Sequence, residues 1–246
     1  MKVVVIGGSG LIGRKVVELL TSAGHEAVAA SRSTGVDAIT GVGLAGALAG
    51  AAAVVDVTNA PVRGDEVLAF FRTSTGNVLA AERAAGVRHH VVLSIVGADT
   101  LPAGGYMRAK VAQEELIKAS GVPFTIVRAT QFYEFLEAIA DGATVDGEVR
   151  GSTARFQPVA ADDVAAFVAE VAVAPPLNGT VDLAGPEVGT LASFLRHFLD
   201  ATYDERKVVE DPDAAYFGTR LDEKSLVPSA AGARLGAMTF PEWLSR

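Results

Sequence analysis

The sequence predicts an α/β fold, a doubly wound parallel sheet with helices on both faces and a smaller carboxyl-terminal lobe. Three observations predict it. The first 32 residues read as strand, glycine turn, helix and strand. Apolar β-branched runs then alternate with helical stripes as far as Arg128, the pattern of a parallel sheet covered on both sides. The chain is 50% hydrophobic and 20% charged over 246 residues, enough to bury the core such a fold needs.

The opening unit sets the rest. Lys2-Val3-Val4-Val5-Ile6 is a buried strand, and Gly7-Gly8-Ser9-Gly10-Leu11-Ile12-Gly13 follows at once. Ile12, Val16, Val17, Leu19, Leu20 and Ala23 form a helical stripe stopped by Gly24, and Glu26 to Ala30 is the second strand. Such a unit suits a pyrophosphate. The start of a helix offers about four unpaired amides and a favourable dipole, and glycines let a ligand approach the backbone. Gly41-Val42-Gly43-Leu44-Ala45-Gly46 repeats the glycine spacing, but no apolar strand precedes it, so it reads as a loop entering a small helix at Leu44–Leu48.

After the second strand comes Ser31-Arg32-Ser33-Thr34-Gly35. An acidic residue here would grip the ribose hydroxyls of NAD, whereas an arginine suits the extra phosphate of NADP, so Arg32 tilts the cofactor toward NADP with NAD still possible. A short third strand is expected within Gly35–Thr40. Ala52 to Val57 is the next strand, and Thr58 and Asn59 at its carboxyl end are candidates to line the cofactor. Glu66–Ala85 is a long helix ended by Gly86, followed by a strand over His89–Ile95. Adjacent strand residues face opposite ways, so His89 and His90 do not make a metal site, and none is expected. Gly105–Ser120 is a helix, and Pro123 to Arg128 is a sixth strand.

Beyond it the pattern loosens. Asp146 to Val159 carries turn signals of a hairpin, within an irregular excursion near 144–159. Ala161 to Val173 is helical with Asp162 or Asp163 as its cap, Thr180 to Ala184 is a strand, and Thr190 to Thr202 is a helix. Residues 1–185 are expected to form the nucleotide-binding domain, and 186–246 a small substrate lobe at the open edge of the sheet.

The balance of 21 basic against 29 acidic residues argues against nucleic acid as a partner and leaves a small-molecule substrate. The absence of cysteine excludes disulfides and thiol catalysis and is compatible with a cytoplasmic protein. No membrane segment is expected: Gly41–Val55 is dominated by glycine and alanine and falls short of the roughly 20 apolar residues a span needs.

A second constellation carries chemistry. Tyr106 and Lys110 lie four residues apart at a helix start, on one face, and Ser94 ends the preceding strand. Reducing a carbonyl needs a hydride from one side and a proton from the other. A phenol titrates near 10, too high for easy proton exchange at neutrality, and a neighbouring ammonium lowers that value. The same ammonium can hold the ribose of the hydride donor, and a serine hydroxyl can hold the substrate oxygen.

The chain resembles the short-chain dehydrogenase/reductase superfamily, in its atypical NmrA-like branch of NAD(P)-binding Rossmann proteins. The residues that carry the likeness are Gly7 to Gly13, Ala30-Ser31-Arg32-Ser33, Val91-Val92-Leu93-Ser94, Tyr106 with Lys110, Ser120 to Arg128, and Asp162-Asp163-Val164-Ala165. The resemblance implies a Rossmann fold and NADP- or NAD-dependent redox chemistry on carbonyl, alkene or sugar-type compounds. It implies that Gly7, Ser9, Gly10, Leu11, Ile12 and Gly13 cradle the pyrophosphate. Ser31, Arg32 and Ser33 would meet the adenosine phosphate, and Lys110 the nicotinamide ribose. Thr130, Gln131 and Phe132 would flank the nicotinamide. Many relatives carry proline where this chain has Ala129. Two other functions follow from the same branch and superfamily. One is a non-catalytic redox sensor that binds a regulatory partner, and the other an epimerase or dehydratase using bound NAD as an internal relay.

Overall fold

The structure is a computed structural model of residues 1–246, described throughout except for 63, 65, 102–104, 230 and 231. β1 (Lys2–Ile6), α1 (Leu11–Ser22) and β2 (Glu26–Ala30) form the amino-terminal unit, with β1 and β2 paired in parallel from Lys2 against Glu26 to Ile6 against Ala30. The helical stripe is narrower than the sequence suggests: α1 buries Ile12, Gly13, Val16 and Leu20, while Leu19 is exposed.

The third strand expected within Gly35–Thr40 does not form. The Asp37 carboxylate accepts the Ile39 and Thr40 amides, and the Asn77 side chain donates to the carbonyls of Ala38 and Ile39. Those side chains satisfy the backbone that a strand would have paired. The chain passes instead into α2 (Leu44–Leu48) and β3 (Ala53–Asp56). Then follow α3 (Glu66–Ala85), β4 (His90–Ile95), α4 (Gly105–Lys118) and β5 (Phe124–Ala129), the strand that the sequence reading counted as sixth.

Next come α5 (Leu136–Gly142), the antiparallel pair β6 (Thr144–Val145) and β7 (Glu148–Gly151), β8 (Arg155–Phe156), α6 (Ala161–Val173) and β9 (Gly179–Ala184). The β6–β7 turn is Asp146-Gly147, both at positive φ (51° and 82°), the two-residue hairpin turn that Asp-Gly favours. After β9 come β10 (Gly189–Thr190), α7 (Leu191–Ala201), β11 (Lys207–Glu210), β12 (Ala215–Tyr216), β13 (Thr219–Arg220), β14 (Arg234–Leu235) and α8 (Phe240–Leu244).

The main sheet has seven strands in the order β14-β9-β5-β4-β3-β1-β2. The order reverses at β1, whose two neighbours β2 and β3 are both parallel to it, and ligands of open α/β sheets bind at such a reversal. Val4 and Ile6 pack with Leu44, Leu48, Val54 and Val78. Side chains alternate along a strand, so Val3 and Val5 face the opposite layer. The tail contributes to this sheet directly, since β14 pairs in parallel with Leu183 and Ala184 of β9.

Two compact units share the chain and interleave along it. One comprises Met1–Ser94, Gly105–Arg128 and Val164–Val181; the other comprises Ile95–Gly104, Ala129–Asp163 and Asp182–Arg246, so residue 185 lies inside the second. In the second unit Tyr133 stacks on Phe240 and packs with Trp243, and Phe194 packs against Phe240. The start of α6 is capped differently from the sequence expectation. Glu134, rather than Asp162 or Asp163, accepts the Ala161 amide, while Asp163 accepts the Met238 amide and Asp162 pairs with Arg246.

Candidate functional site

The glycine turn is built by backbone geometry. Gly7 sits at φ 81°, a conformation that costs an L-residue strain, and its amide donates to the Ala30 carbonyl at 2.9 Å. A Cβ on Gly8 would stand 2.7 Å from the Ala29 Cα, and one on Gly13 would collide with the Gly7 carbonyl oxygen. These two glycines let α1 pack hard against β1 and β2. Gly10 is the N-cap of α1 and offers no side chain to it, so the first-turn amides near Leu11 and Ile12 lack an intrahelical partner. Ser9 and Gly10 are exposed. A cradle of this kind, open in front and closed behind by glycine, fits a diphosphate.

Past β2, Ser31 caps a single 3-10 turn over Arg32–Thr34. The Ser31 amide donates to Thr34 Oγ1 at 2.9 Å, the Ser31 and Ser33 hydroxyls are bonded at 2.8 Å, and Arg32 is exposed. Past β3, the Thr58 amide donates to Asp56 Oδ1 at 2.9 Å, while its buried hydroxyl has no partner. Asn59 accepts a 2.8 Å hydrogen bond from the Tyr106 hydroxyl, so these two predicted residues meet.

The Ser94, Tyr106 and Lys110 constellation is only partly assembled. Tyr106 and Lys110 share Phe71 of α3: the Tyr106 ring meets it edge-on with centroids 5.9 Å apart, and Lys110 Nζ stands 4.6 Å over its face. Lys110 is buried and donates to the Leu93 carbonyl at 2.8 Å and to Gln113 Oε1. Ser94 points elsewhere. Its hydroxyl donates to Glu114 Oε1 at 2.7 Å, and Glu114 is gripped by Arg128 through Nε at 2.9 Å and Nη2 at 2.7 Å. Burial would raise the Glu114 carboxyl, but the Arg128 and Ser94 hydrogen bonds hold it below its ordinary value.

The expected electrostatic partnership also differs. Burial pushes the Tyr106 phenol up to about 12, rather than the ammonium drawing it down. Burial brings the Lys110 ammonium down to about 8, against the opposing charges of Asp56 and Glu114. Tyr106 is therefore a fully protonated phenol at neutral pH, and Lys110 remains largely charged.

Sequence reasoning missed the groups behind these residues. Gln113, Asp56 and Thr75 are buried, and the Gln113 amide nitrogen donates to Asp56 Oδ2 at 3.1 Å and to Thr75 Oγ1 at 3.2 Å. The signal was present: Asp56 interrupts a β-branched run, and Gln113 takes an inward position of α4 between Ala109 and Ile117. It also missed the fully buried pair of Glu82 and His90, bonded at 2.7 Å. Burial opposes charge on His90, yet Glu82, by charge and hydrogen bond, carries its pKa above the ordinary value. His89 bonds Thr125 at 2.9 Å, and burial with the charge of His90 brings its pKa down to about 4. Among the described residues no group of three His, Cys, Asp or Glu side chains could hold a metal ion. No helix of the described residues is long and apolar enough to cross a membrane.

In the second unit Gln131 and Thr130 lie just past the carboxyl end of β5. The Gln131 carbonyl accepts the Val159 amide at 2.8 Å and Phe132 bridges to Val159, so the backbone there is pinned. The Thr130 hydroxyl and both terminal atoms of the Gln131 carboxamide are buried without a hydrogen-bond partner. Phe132 stacks on Phe135 with centroids 5.4 Å apart.

A strand–glycine turn–helix at the reversal of a parallel sheet defines a nucleotide-binding Rossmann protein. The chain belongs to the NAD(P)H-binding family, whose sequence model matches residues 7–175, more than half of its length. NAD(P)H is accordingly its cofactor class. No curated protein matches the sequence. Solved structures share the fold at low identity. A dTDP-4-dehydrorhamnose reductase of Clostridium acetobutylicum is 17% identical, with 86% of this chain and 84% of that one covered and a TM-score of 0.69. An NADPH-dependent quinone oxidoreductase of Escherichia coli, complexed with NADPH, is 23% identical over 85% of this chain and 77% of that one, at 0.66. A triphenylmethane reductase of Citrobacter sp., complexed with NADP(H), is 20% identical over 86% and 79%, also at 0.66.

Proposed function

We propose that this chain is an oxidoreductase of the short-chain dehydrogenase/reductase type, using NADPH to reduce a small organic carbonyl or quinone-like compound. The observation that carries the reading is where the structure leaves buried polar atoms unpaired. Such atoms cost about 1–3 kcal/mol each unless a ligand or water meets them. Among the described residues, outside the cluster of Glu82, His89 and His90, the unpaired buried side-chain atoms are Thr58 Oγ1, Thr130 Oγ1 and the two ends of the Gln131 carboxamide. Each lies immediately past the carboxyl end of β3 or β5, where a bound dinucleotide is expected.

In this reading Gly7, Ser9, Gly10, Leu11, Ile12 and Gly13 hold the diphosphate. Arg32, with Ser31 and Ser33, recognises the ribose phosphate that distinguishes NADP from NAD. Thr58 and Asn59 add to the cofactor contacts of the first unit, and the resemblance assigns Thr130, Gln131 and Phe132, just past β5, to the nicotinamide end. Lys110 holds the ribose next to the nicotinamide. When bound, the cofactor supplies two electrons as hydride to the substrate carbon. Tyr106 supplies the proton to the substrate oxygen; its phenol, raised to about 12, is protonated at neutral pH but a weaker acid than a free phenol, so the transfer is drawn by the more basic alkoxide that forms there. Ser94 orients that oxygen once its hydroxyl turns from Glu114. The Escherichia coli quinone oxidoreductase and the Citrobacter triphenylmethane reductase use the same cofactor, which agrees with the assignment.

Purified protein should oxidise NADPH with a member of a carbonyl and quinone panel. Tyr106→Phe should lower the rate by about 10²–10⁴-fold, the usual worth of a positioned acid, with NADPH affinity near wild type. An unchanged rate removes Tyr106 from the mechanism. A second reading, a redox sensor without turnover, is favoured by one observation: the Ser94 hydroxyl is committed to Glu114. Tight, redox-selective binding with no oxidation by any panel member would establish it.

A further inference from the structure

Lys110 is a buried cation in the apolar layer between α3, α4 and β4, 3% exposed. A lone ammonium there would shed its proton or swing out to water. Two of its three N–H donors go to neutral oxygens, the Leu93 carbonyl and the Gln113 carboxamide, and the Phe71 face lies beneath it. Gln113 is 1% exposed, and its orientation is fixed by what lies behind it. Its nitrogen gives one hydrogen to Asp56 Oδ2 and the other to Thr75 Oγ1. Flipping the amide would set its oxygen against the Asp56 carboxylate and its NH2 against the ammonium, two repulsions for two attractions. Asp56, 2% exposed, then uses its other oxygen to accept the Thr58 amide at 2.9 Å. The backbone at that point abuts the glycine turn, since a Cβ on Gly7 would stand 3.1 Å from the Thr58 nitrogen.

We propose that Gln113 is the positioning residue for Lys110, and that Asp56–Gln113–Lys110 is a buried relay holding the amine in register with the strand end beside the glycine turn. The role of Lys110 toward cofactor rests on the function proposed above; the relay itself does not. A purely structural account fares worse. Apolar residues at 56, 75 and 113 together would fill the space between α3 and α4 without the desolvation cost of a carboxamide, a carboxylate and a hydroxyl. The polar set makes sense as a device that keeps one ammonium charged and aimed while dry. The carboxylate stands one link away, and a direct ion pair would bind the amine too tightly for it to turn to a ribose hydroxyl.

The charged groups around Lys110 are Asp56 from β3, Glu114 from α4 and His90 from β4, the last paired with Glu82 of α3. The test is a titration of the full chain labelled with 13Cε-lysine, assigned with Lys110→Met, beside NADPH titrations of the same samples. Wild-type Lys110 should titrate near 8. Gln113→Glu, nearly isosteric, places a carboxylate directly on the amine and should raise the midpoint by about one unit or more. Gln113→Met removes the link and should lower it, with NADPH affinity falling about tenfold, the worth of about 1.4 kcal/mol. Should Gln113→Glu fail to fold, Asp56→Asn must lower the midpoint. Variants that melt earlier while leaving the Lys110 midpoint and the NADPH affinity in place overturn the relay. If Lys110→Met binds NADPH as wild type does, the assigned role of Lys110 fails, and the midpoint shifts still decide the relay on their own.

Discussion

The glycine turn and the amine pocket of α4 sit in the same compact unit but are specified in different ways. The turn is a backbone object. Its conformation follows from Gly7 at positive φ and from the close approaches at Gly8 and Gly13, and apart from the approach of Val57 and Thr58 to Gly7 its contacts come from the first thirty residues. The amine pocket is a side-chain object. Lys110, Tyr106 and Ser94 are placed by Gln113 with Asp56, by Asn59, and by Glu114 with Arg128, and Asp56, Asn59 and Arg128 are brought from outside α4. Local backbone requirements can be read along the chain, whereas partners brought by folding cannot. The first region accordingly matches its motif. In the second, two of the three motif residues share a neighbour and the third turns away.

The contrast can be broken or sharpened by substitution. The largest effect is expected at the Glu82–His90 pair, fully buried between α3 and β4. Glu82→Gln leaves His90 buried without its counter-charge, and losing one partner of such a pair costs about 3–5 kcal/mol. Denaturant unfolding at pH 6 measures it. Because the folded pKa of His90 is raised, its contribution is complete below the unfolded value of about 6.5 and is lost as pH climbs through the higher folded value. The stability gap between wild type and Glu82→Gln should therefore narrow as pH rises, and a constant gap would show that His90 is not charged in the fold.

Gly13→Val tests the backbone-encoded region. Its Cβ meets the Gly7 carbonyl, and overpacking of this kind costs about 1–3 kcal/mol. Because the same atoms form the cradle, NADPH affinity should fall about ten- to a hundredfold by fluorescence titration. A variant that melts earlier but binds normally would separate the turn from the cofactor.

Ser94→Ala should have the smallest effect on stability. It removes one hydrogen bond to Glu114, about 1 kcal/mol by thermal unfolding, with NADPH affinity unchanged because Arg128 still holds the carboxylate. The proposed hold on the substrate oxygen requires kcat to fall in this variant with affinity intact; an unchanged kcat removes Ser94 from the mechanism.

The sequence by itself determined the parallel α/β architecture, the glycine cradle and the boundaries of most helices, because periodicity, β-branched runs and glycine placement act over a few residues. Glu66–Ala85 and Leu44–Leu48 form as their patterns indicate. Tertiary structure alone decided the rest. Asn77, almost forty residues away, takes the carbonyls that a strand within Gly35–Thr40 would have used. The tail lays β14 along β9, and Glu134 rather than an aspartate of α6 caps that helix. Asp56 and Gln113, ordinary in sequence, become the support of Lys110. The physical reason is that a polar backbone or side-chain group released by folding takes whichever partner the folded chain brings near, and that partner is not local in sequence.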